Sequence, residues 1–348
     1  MSNQEANLKT YRANCHCAAY VYEVTLPEIS TASQCNCSVC YKKAALWVFP
    51  KPKDVKFVKG DPATLTNYTF GKRNFTHKVR RNIAPREVKM AVLLIRREAS
   101  ALHAAIRSCS SVTWSPQSQA NMRSLRMAST FDGASSLGTA DEPPKFTGLE
   151  PTAEVEGGEL YTGSCHCGAV TLALKSKPLN KDSTENFLEC DCSHCSKGGY
   201  VWAYPKKPQI VIEGGENLSK YMFGNKYGRK TFCGICGVPI HNELVHFTDE
   251  ELAAKPEKER DYIVGGLVFA PVNLRVINGL DVNDLNVGRF HGYSASQPQY
   301  VEPNERTKEL TQQNNAYIRR NGTSTQGLAS RYVARRTLSS RPLRPGLE

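Results

Sequence analysis

Hydrophobic and polar positions in this chain alternate in short runs instead of long helical stripes. Residues 169–174 (AVTLAL), 209–212 (QIVI) and 262–269 (YIVGGLVF) are rich in β-branched and aromatic side chains and read as strands. Pro, Gly and Asn punctuate them at short intervals, as turns require. Residues 248–260 are charged and read as a short exposed helix or loop, 91–106 as a helix, and 108–121 as loop. The pattern predicts a mainly β protein.

The pattern also recurs. Tyr11-Arg12-Ala13-Asn14-Cys15-His16-Cys17 returns as Tyr161-Thr162-Gly163-Ser164-Cys165-His166-Cys167, and Cys35-Asn36-Cys37-Ser38-Val39-Cys40 as Cys190-Asp191-Cys192-Ser193-His194-Cys195. Trp47-Val48-Phe49-Pro50-Lys51 returns as Trp202-Ala203-Tyr204-Pro205-Lys206, and Tyr68-Thr69-Phe70-Gly71 as Tyr221-Met222-Phe223-Gly224. The offsets are 150, 155, 155 and 153 residues, steady enough to indicate a duplicated domain. The first copy departs from the second at one place. Tyr221-Met222-Phe223-Gly224 leads to Phe232-Cys233-Gly234-Ile235-Cys236-Gly237, whereas Tyr68-Thr69-Phe70-Gly71 leads to His77-Lys78-Val79-Arg80-Arg81 and no C-x-x-C follows. Likeness resumes at Phe131-Asp132-Gly133-Ala134-Ser135, which echoes Phe290-His291-Gly292-Tyr293-Ser294. The expected organisation is a first copy over 8–145, with 79–130 replaced by an unrelated basic segment, a complete second copy over 150–305, and a basic tail over 306–348. The replacement is expected to delete the strands that should follow, leaving the first copy partly disordered or dependent on the second.

Charge changes this picture only locally. The net charge of +12 is concentrated in two stretches, 79–130 and 306–348, each with nine Lys or Arg against two acidic residues. The cysteine-bearing parts are therefore near neutral, and the tail is expected to be a solvated, disordered extension, with nucleic acid or another acidic partner as the alternative. No signal-peptide core is visible, and the longest apolar run, 91–95 (AVLLI), is far too short to span a bilayer. The expected home is a reducing compartment, cytoplasmic with the nucleus as a second possibility and no membrane attachment.

In such a compartment, 13 cysteines suggest metal. The second copy holds seven: Cys165 and Cys167, then Cys190, Cys192 and Cys195, then Cys233 and Cys236. A structural zinc takes four protein ligands and a catalytic zinc keeps one position open, so seven divides into four and three. A C-x-x-C pair is spaced like half of a zinc ribbon, and a C-x-C pair supplies another half. The C-x-C-x-x-C trio then holds a second metal with a vacant position. Disulfides fit poorly, since C-x-C pairs are too tight to bridge without strain.

Together, Gly163-Ser164-Cys165-His166-Cys167-Gly168, the trio at 190–195, and Phe232-Cys233-Gly234-Ile235-Cys236-Gly237 resemble the glutathione-dependent formaldehyde-activating enzyme and centromere protein V family. The resemblance covers nearly all of 158–302 and, with its break, 8–145. It implies a zinc-stapled β-tent of antiparallel sheets in two tandem copies. It assigns Cys165, Cys167, Cys233 and Cys236 to a structural zinc and Cys190, Cys192 and Cys195 to a catalytic one, two ions in the second copy. In the first copy, Cys35, Cys37 and Cys40 make a degenerate counterpart of the trio, and Cys15 and Cys17 an incomplete structural site. The implied activity is that of a carbon–sulfur lyase, joining a glutathione-type thiol to a small aldehyde or reversing that step. The competing reading is a non-catalytic zinc-stapled binding module whose basic tail engages nucleic acid.

Other residues carry smaller expectations. His194 is expected to point to solvent instead of tuning or ligating the metal. Trp202 and Tyr204 either wall a substrate pocket or pack in the core, with packing expected. His241 and His246 have no assigned role, and Cys109 reads as a bystander.

Overall fold

In the first half of the chain the strands are β1 (Leu8–Cys15), β2 (Val21–Pro27), β3 (Thr31–Cys35), β4 (Leu46–Val48), β5 (Val55–Lys59), β6 (Thr66–Tyr68), β7 (Phe75–Val79), β8 (Val92–Arg96), β9 (Leu102–Ala105), β10 (Ser110–Val112) and β11 (Arg126–Phe131). In the second half they are β12 (Glu159–Ser164), β13 (Thr171–Ser176), β14 (Phe187–Cys190), β15 (Trp202–Ala203), β16 (Ile210–Glu213), β17 (Leu218–Tyr221), β18 (Gly228–Cys233), β19 (Pro239–Leu244), β20 (Val272–Asn273) and β21 (Val287–Phe290). The computed structural model describes residues 8–73, 75–79, 92–96, 102–105, 110–112, 126–136, 142–295, 298, 300 and 301. The protein is mainly β, and its described residues up to Tyr300 form one compact unit.

Each half has a small sheet and a seven-stranded one. The small sheets run β10-β1-β2-β5 and β12-β13-β16; the large ones run β11-β3-β4-β9-β8-β7-β6 and β21-β14-β15-β20-β19-β18-β17. Pairings are antiparallel except at one edge of each large sheet, where β11 lies parallel to β3 and β21 parallel to β14. The order is the same in both large sheets, and like segments take like places. Tyr68 stands across from His77 in β6/β7, as Tyr221 stands across from Lys230 in β17/β18.

Two expectations are corrected here. Residues 92–96 and 102–105 are strands where a helix was expected over 91–106: β8 pairs with β7 from Phe75↔Arg96 to Val79↔Val92 and also with β9, which pairs with β4. A hydrogen-bonding edge offered by β7 outweighs local helix preference in so apolar a run. The replaced segment therefore supplies the strands it was expected to delete. In the reverse sense, 262–269 does not form a strand. It continues a helix, α5 (Glu257–Gly266), that begins after Pro256 with Glu257 and Glu259 in its first turn. Only Ile263 of that run is buried, while Tyr262 and Val264 face out. Ahead of it, within the charged stretch, lies α4 (Asp249–Ala253), capped by Thr248 and Glu251. Cys109 and the tail at 306–348 lie outside the described residues.

The largest core belongs to the second half. Val170, Leu172, Leu174, Val238, Ile240, Leu274 and Val276 pack with Cys165, Cys233 and Cys236 in one cluster. The first half has smaller clusters, one around Cys35, Cys37, Cys40 and Trp47. Tyr68 packs against both. The halves also meet through two short helices, α1 (Ser38–Lys42) and α3 (Ser193–Gly198), with α2 (Gly133–Ser136) between them in the chain. Both are followed by left-handed residues, Ala44 (φ 49°) and Gly199 (φ 58°). A β-carbon on Gly199 would lie 2.3 Å from that of Ala44, so glycine is what allows this approach.

Candidate metal centres

Two hairpin tips build the four-cysteine centre. Between β12 and β13, Cys165 N–H donates to Val170 O (2.8 Å) and Gly168 takes φ 79°, which curls Cys165-His166-Cys167 back on itself. Between β18 and β19, Cys233 N–H donates to Val238 O (2.9 Å) and Gly237 takes φ 75°. The four sulfurs lie within 4.8 Å of one another, with 3.5 Å from Cys165 to Cys167 and 3.6 Å from Cys167 to Cys233. Tetrahedral zinc–thiolate bonds of about 2.3 Å place sulfurs about 3.8 Å apart, so the set fits zinc.

The trio Cys190, Cys192 and Cys195 also lies within 4.8 Å, and among the described residues no fourth cysteine, histidine or carboxylate is grouped with it. Cys190 ends β14, Cys192 caps α3 and accepts from Cys195 N–H (3.4 Å), and Cys195 accepts from the Trp202 indole N–H (3.4 Å). The Cys190 and Cys195 thiols hold Cys192 well below the usual thiol range, so one thiolate is already stabilised there. Asp191 fixes the segment that covers Cys190, accepting from Tyr293 N–H (2.8 Å) and lying 3.2 Å from His291 Nδ1. That cover requires Gly292, where a β-carbon would fall 2.3 Å from Cys190 Sγ.

The first half repeats this arrangement. Cys35, Cys37 and Cys40 lie within 4.8 Å, and Asn36 plays the part of Asp191, accepting from Ala134 N–H (2.9 Å) and donating to Asp132 (3.0 Å). Hydrogen bonds from Cys37 and Cys40 pull Cys35 down to about 3. Cys15 and Cys17 have their sulfurs 3.3 Å apart, and among the described residues no third ligand-type side chain is grouped with them.

The surroundings of the two trios differ. Beside Cys195, Trp202 is buried and stacked on Tyr200 (4.6 Å), with Lys230 Nζ 4.3 Å over its ring. Tyr204, just past the end of β15, is 40% exposed; burial and then the Cys195, Cys190 and Cys192 thiols push its hydroxyl above the usual range. At the matching places the first half carries Trp47, the fully buried His77, and Phe49.

His194 does not point to solvent. It is buried, with Nε2 3.2 Å from the Tyr200 hydroxyl and its ring 5.2 Å from that of His16, and burial pushes it down to about 3. Residue 194 turns inward because α3 packs on the other half of the chain, which its own sequence does not reveal. His241 is hydrogen-bonded to Thr231 and held neutral by burial, at about 4, and His246 is exposed.

Sequence reasoning also passed over the middle residue of each C-H-C. His166 Nδ1 lies 2.5 Å from the Tyr68 hydroxyl, and His16 Nδ1 lies 2.7 Å from the Tyr221 hydroxyl, so each half holds the other's histidine. The repeated C-H-C and Tyr-x-Phe-Gly blocks were the available signal.

Residues 160–254 match the family model of the glutathione-dependent formaldehyde-activating enzyme. A solved crystal structure of a Rhodobacter sphaeroides protein is 25% identical over 35% of this chain and 93% of its own, with a TM-score of 0.26.

Proposed function

We propose that the second half of the chain is a zinc-dependent carbon–sulfur lyase-like domain. It forms or cleaves the bond between a glutathione-type thiol and a small aldehyde. Cys165, Cys167, Cys233 and Cys236 hold a structural zinc, and Cys190, Cys192 and Cys195 the catalytic one. The carrying observation is the convergence of three thiols, with no fourth ligand among the described residues, beside a half-exposed Tyr204 and a lysine. The match to the family model over 160–254 supports the same reading. We also take the two halves to be tandem copies of one domain, over 8–145 and 150–305.

Cys190, Cys192 and Cys195 would hold the zinc, which would supply the Lewis acidity that lowers the pKa of an incoming thiol. The chain's own residues do the rest. The Trp202 N–H bond draws charge from Cys195 and fixes its rotamer. Lys230, a cation one ring away, suits a carboxylate of the thiol substrate. As the C–S bond forms, the aldehyde oxygen gains a proton; the half-exposed Tyr204 hydroxyl is the group to give it, and it regains one from the proton the thiol has lost. With Phe49 and His77 in those places, the first trio can hold a metal but has neither that hydroxyl nor that cation.

The test is exchange NMR between formaldehyde and its glutathione adduct with the zinc-loaded full chain. Faster interconversion that disappears in Cys192→Ser supports the reading; exchange no faster than in buffer overturns it. Repeating it with cysteamine separates carboxylate recognition from chemistry, since Lys230→Gln should weaken only glutathione.

A further inference from the structure

The first half reaches into the second at its four-cysteine centre. Lys42, at the end of α1, sends its amine across to donate to Ser164 O (2.9 Å), Val276 O (3.2 Å) and Asn278 Oδ1 (3.5 Å). Ser164 immediately precedes the ligand Cys165. Lys43, beside it, is 1% exposed and near enough for its charge to act on Cys236. From β6, the Tyr68 hydroxyl bonds to His166, the residue between Cys165 and Cys167, while Phe70 meets the same imidazole edge-on at 4.7 Å.

Zinc with four thiolates has a net charge of −2, and burying that charge is costly unless cations and hydrogen bonds compensate it. Within the second half, Cys165 accepts from Val170 N–H (3.3 Å). The two buried ammonium groups come from the first half.

We infer that the first half completes the second half's four-cysteine metal centre. Lys42 and Lys43 balance its charge, and Tyr68 fixes the C-H-C turn through His166. All three are positioning residues. The reciprocal contacts sharpen the point. Tyr221 holds His16 and Lys197 lies near Cys15, yet the site they face has only two cysteines among the described residues. The support that matters for a tetrathiolate metal therefore runs one way, from the interrupted half to the complete one. This rests on reading the four cysteines as a metal site, but not on the proposed reaction.

Cadmium-113 NMR of the full-length protein distinguishes four-sulfur from three-sulfur coordination. On adding a chelator, the four-sulfur signal is expected to vanish about tenfold or more faster in Lys42→Met/Lys43→Met than in the unaltered protein. The trio signals should decay at unchanged rates, and Lys42→Arg/Lys43→Arg should restore retention. Tyr68→Phe, the variant least able to disturb folding, should shift the four-sulfur resonance, whereas the reciprocal Tyr221→Phe should leave it in place. Unchanged retention in the methionine pair together with an unmoved resonance in Tyr68→Phe overturns the inference. Equal effects from Tyr221→Phe also overturn it, since they reduce the contacts to general interface packing. Absence of any four-sulfur signal in the unaltered protein overturns the metal-site reading itself.

Discussion

Gly199 and Ala44 lie against each other where the two halves meet, both left-handed and both closing the short helix that follows a C-x-C-x-x-C trio. They demand opposite substitutions. Gly199→Ala adds a β-carbon to a crowded left-handed position and should cost about 2 kcal/mol or more. Ala44→Gly relieves a strained alanine and should stabilise by about 0.5–1 kcal/mol. Urea unfolding of both variants checks the pair; destabilisation by Ala44→Gly would show that the β-carbon's packing matters more than its φ.

Cys233→Ser and Cys192→Ser should part company. Cys233 is buried in the main core, and losing its metal removes folding free energy from the second half. Cys192 caps a six-residue helix and packs in a separate small cluster with Cys195, Tyr200 and Trp202. Its loss should leave the cooperative transition in place while trio metal and turnover vanish. Calorimetry with metal analysis distinguishes them.

Gly292→Ala tests the cover over the trio. Its β-carbon would fall 2.3 Å from Cys190 Sγ, so Cys190 or the turn at 291–293 must move. Metal affinity at the trio should drop by about 10–100-fold with little change in melting temperature. A chelator titration yielding an unaltered affinity would show that the turn yields freely.

His77 supplies a pH signature. Burial holds its imidazole well below the ordinary value of 6.5, so the folded protein resists a proton that the unfolded chain accepts. Its contribution is intact above that pH and is lost as pH falls below it. His77→Leu should remove up to one proton, about 1.4 kcal/mol per pH unit, from the acid slope of stability below pH 6.5. Unfolding free energies of both proteins between pH 7 and pH 5 measure it, and parallel slopes would mean the ring is protonated when folded.

The chain's spacing alone determined which cysteines gather in each trio. Cys190, Cys192 and Cys195 are joined by one and two residues, and a strand end followed by a helix cap has little freedom to place their sulfurs elsewhere. The repeated blocks also paired Phe131 with Phe290, which end the two parallel edge strands, but nothing in the pattern read those segments as strands. Local pattern failed where a distant partner made the choice. Residues 92–96 became a strand because β7 offered an edge, and 262–264 became helix because Pro256 and two glutamates had already started one. His194 turned inward because the other half covers it. Lys42, Lys43 and Lys230 carried no reading from the sequence, and Tyr68 stood out only as part of a repeated block, since nothing near them in sequence states what they meet. Tyr68 meets His166 from 98 residues away and Lys42 meets Ser164 from 122, and only packing one half on the other brings such groups together. Ligand identity is a short-range property of the chain; the compensation of a buried charge is a long-range one, set by whatever the folded surface brings within hydrogen-bonding reach.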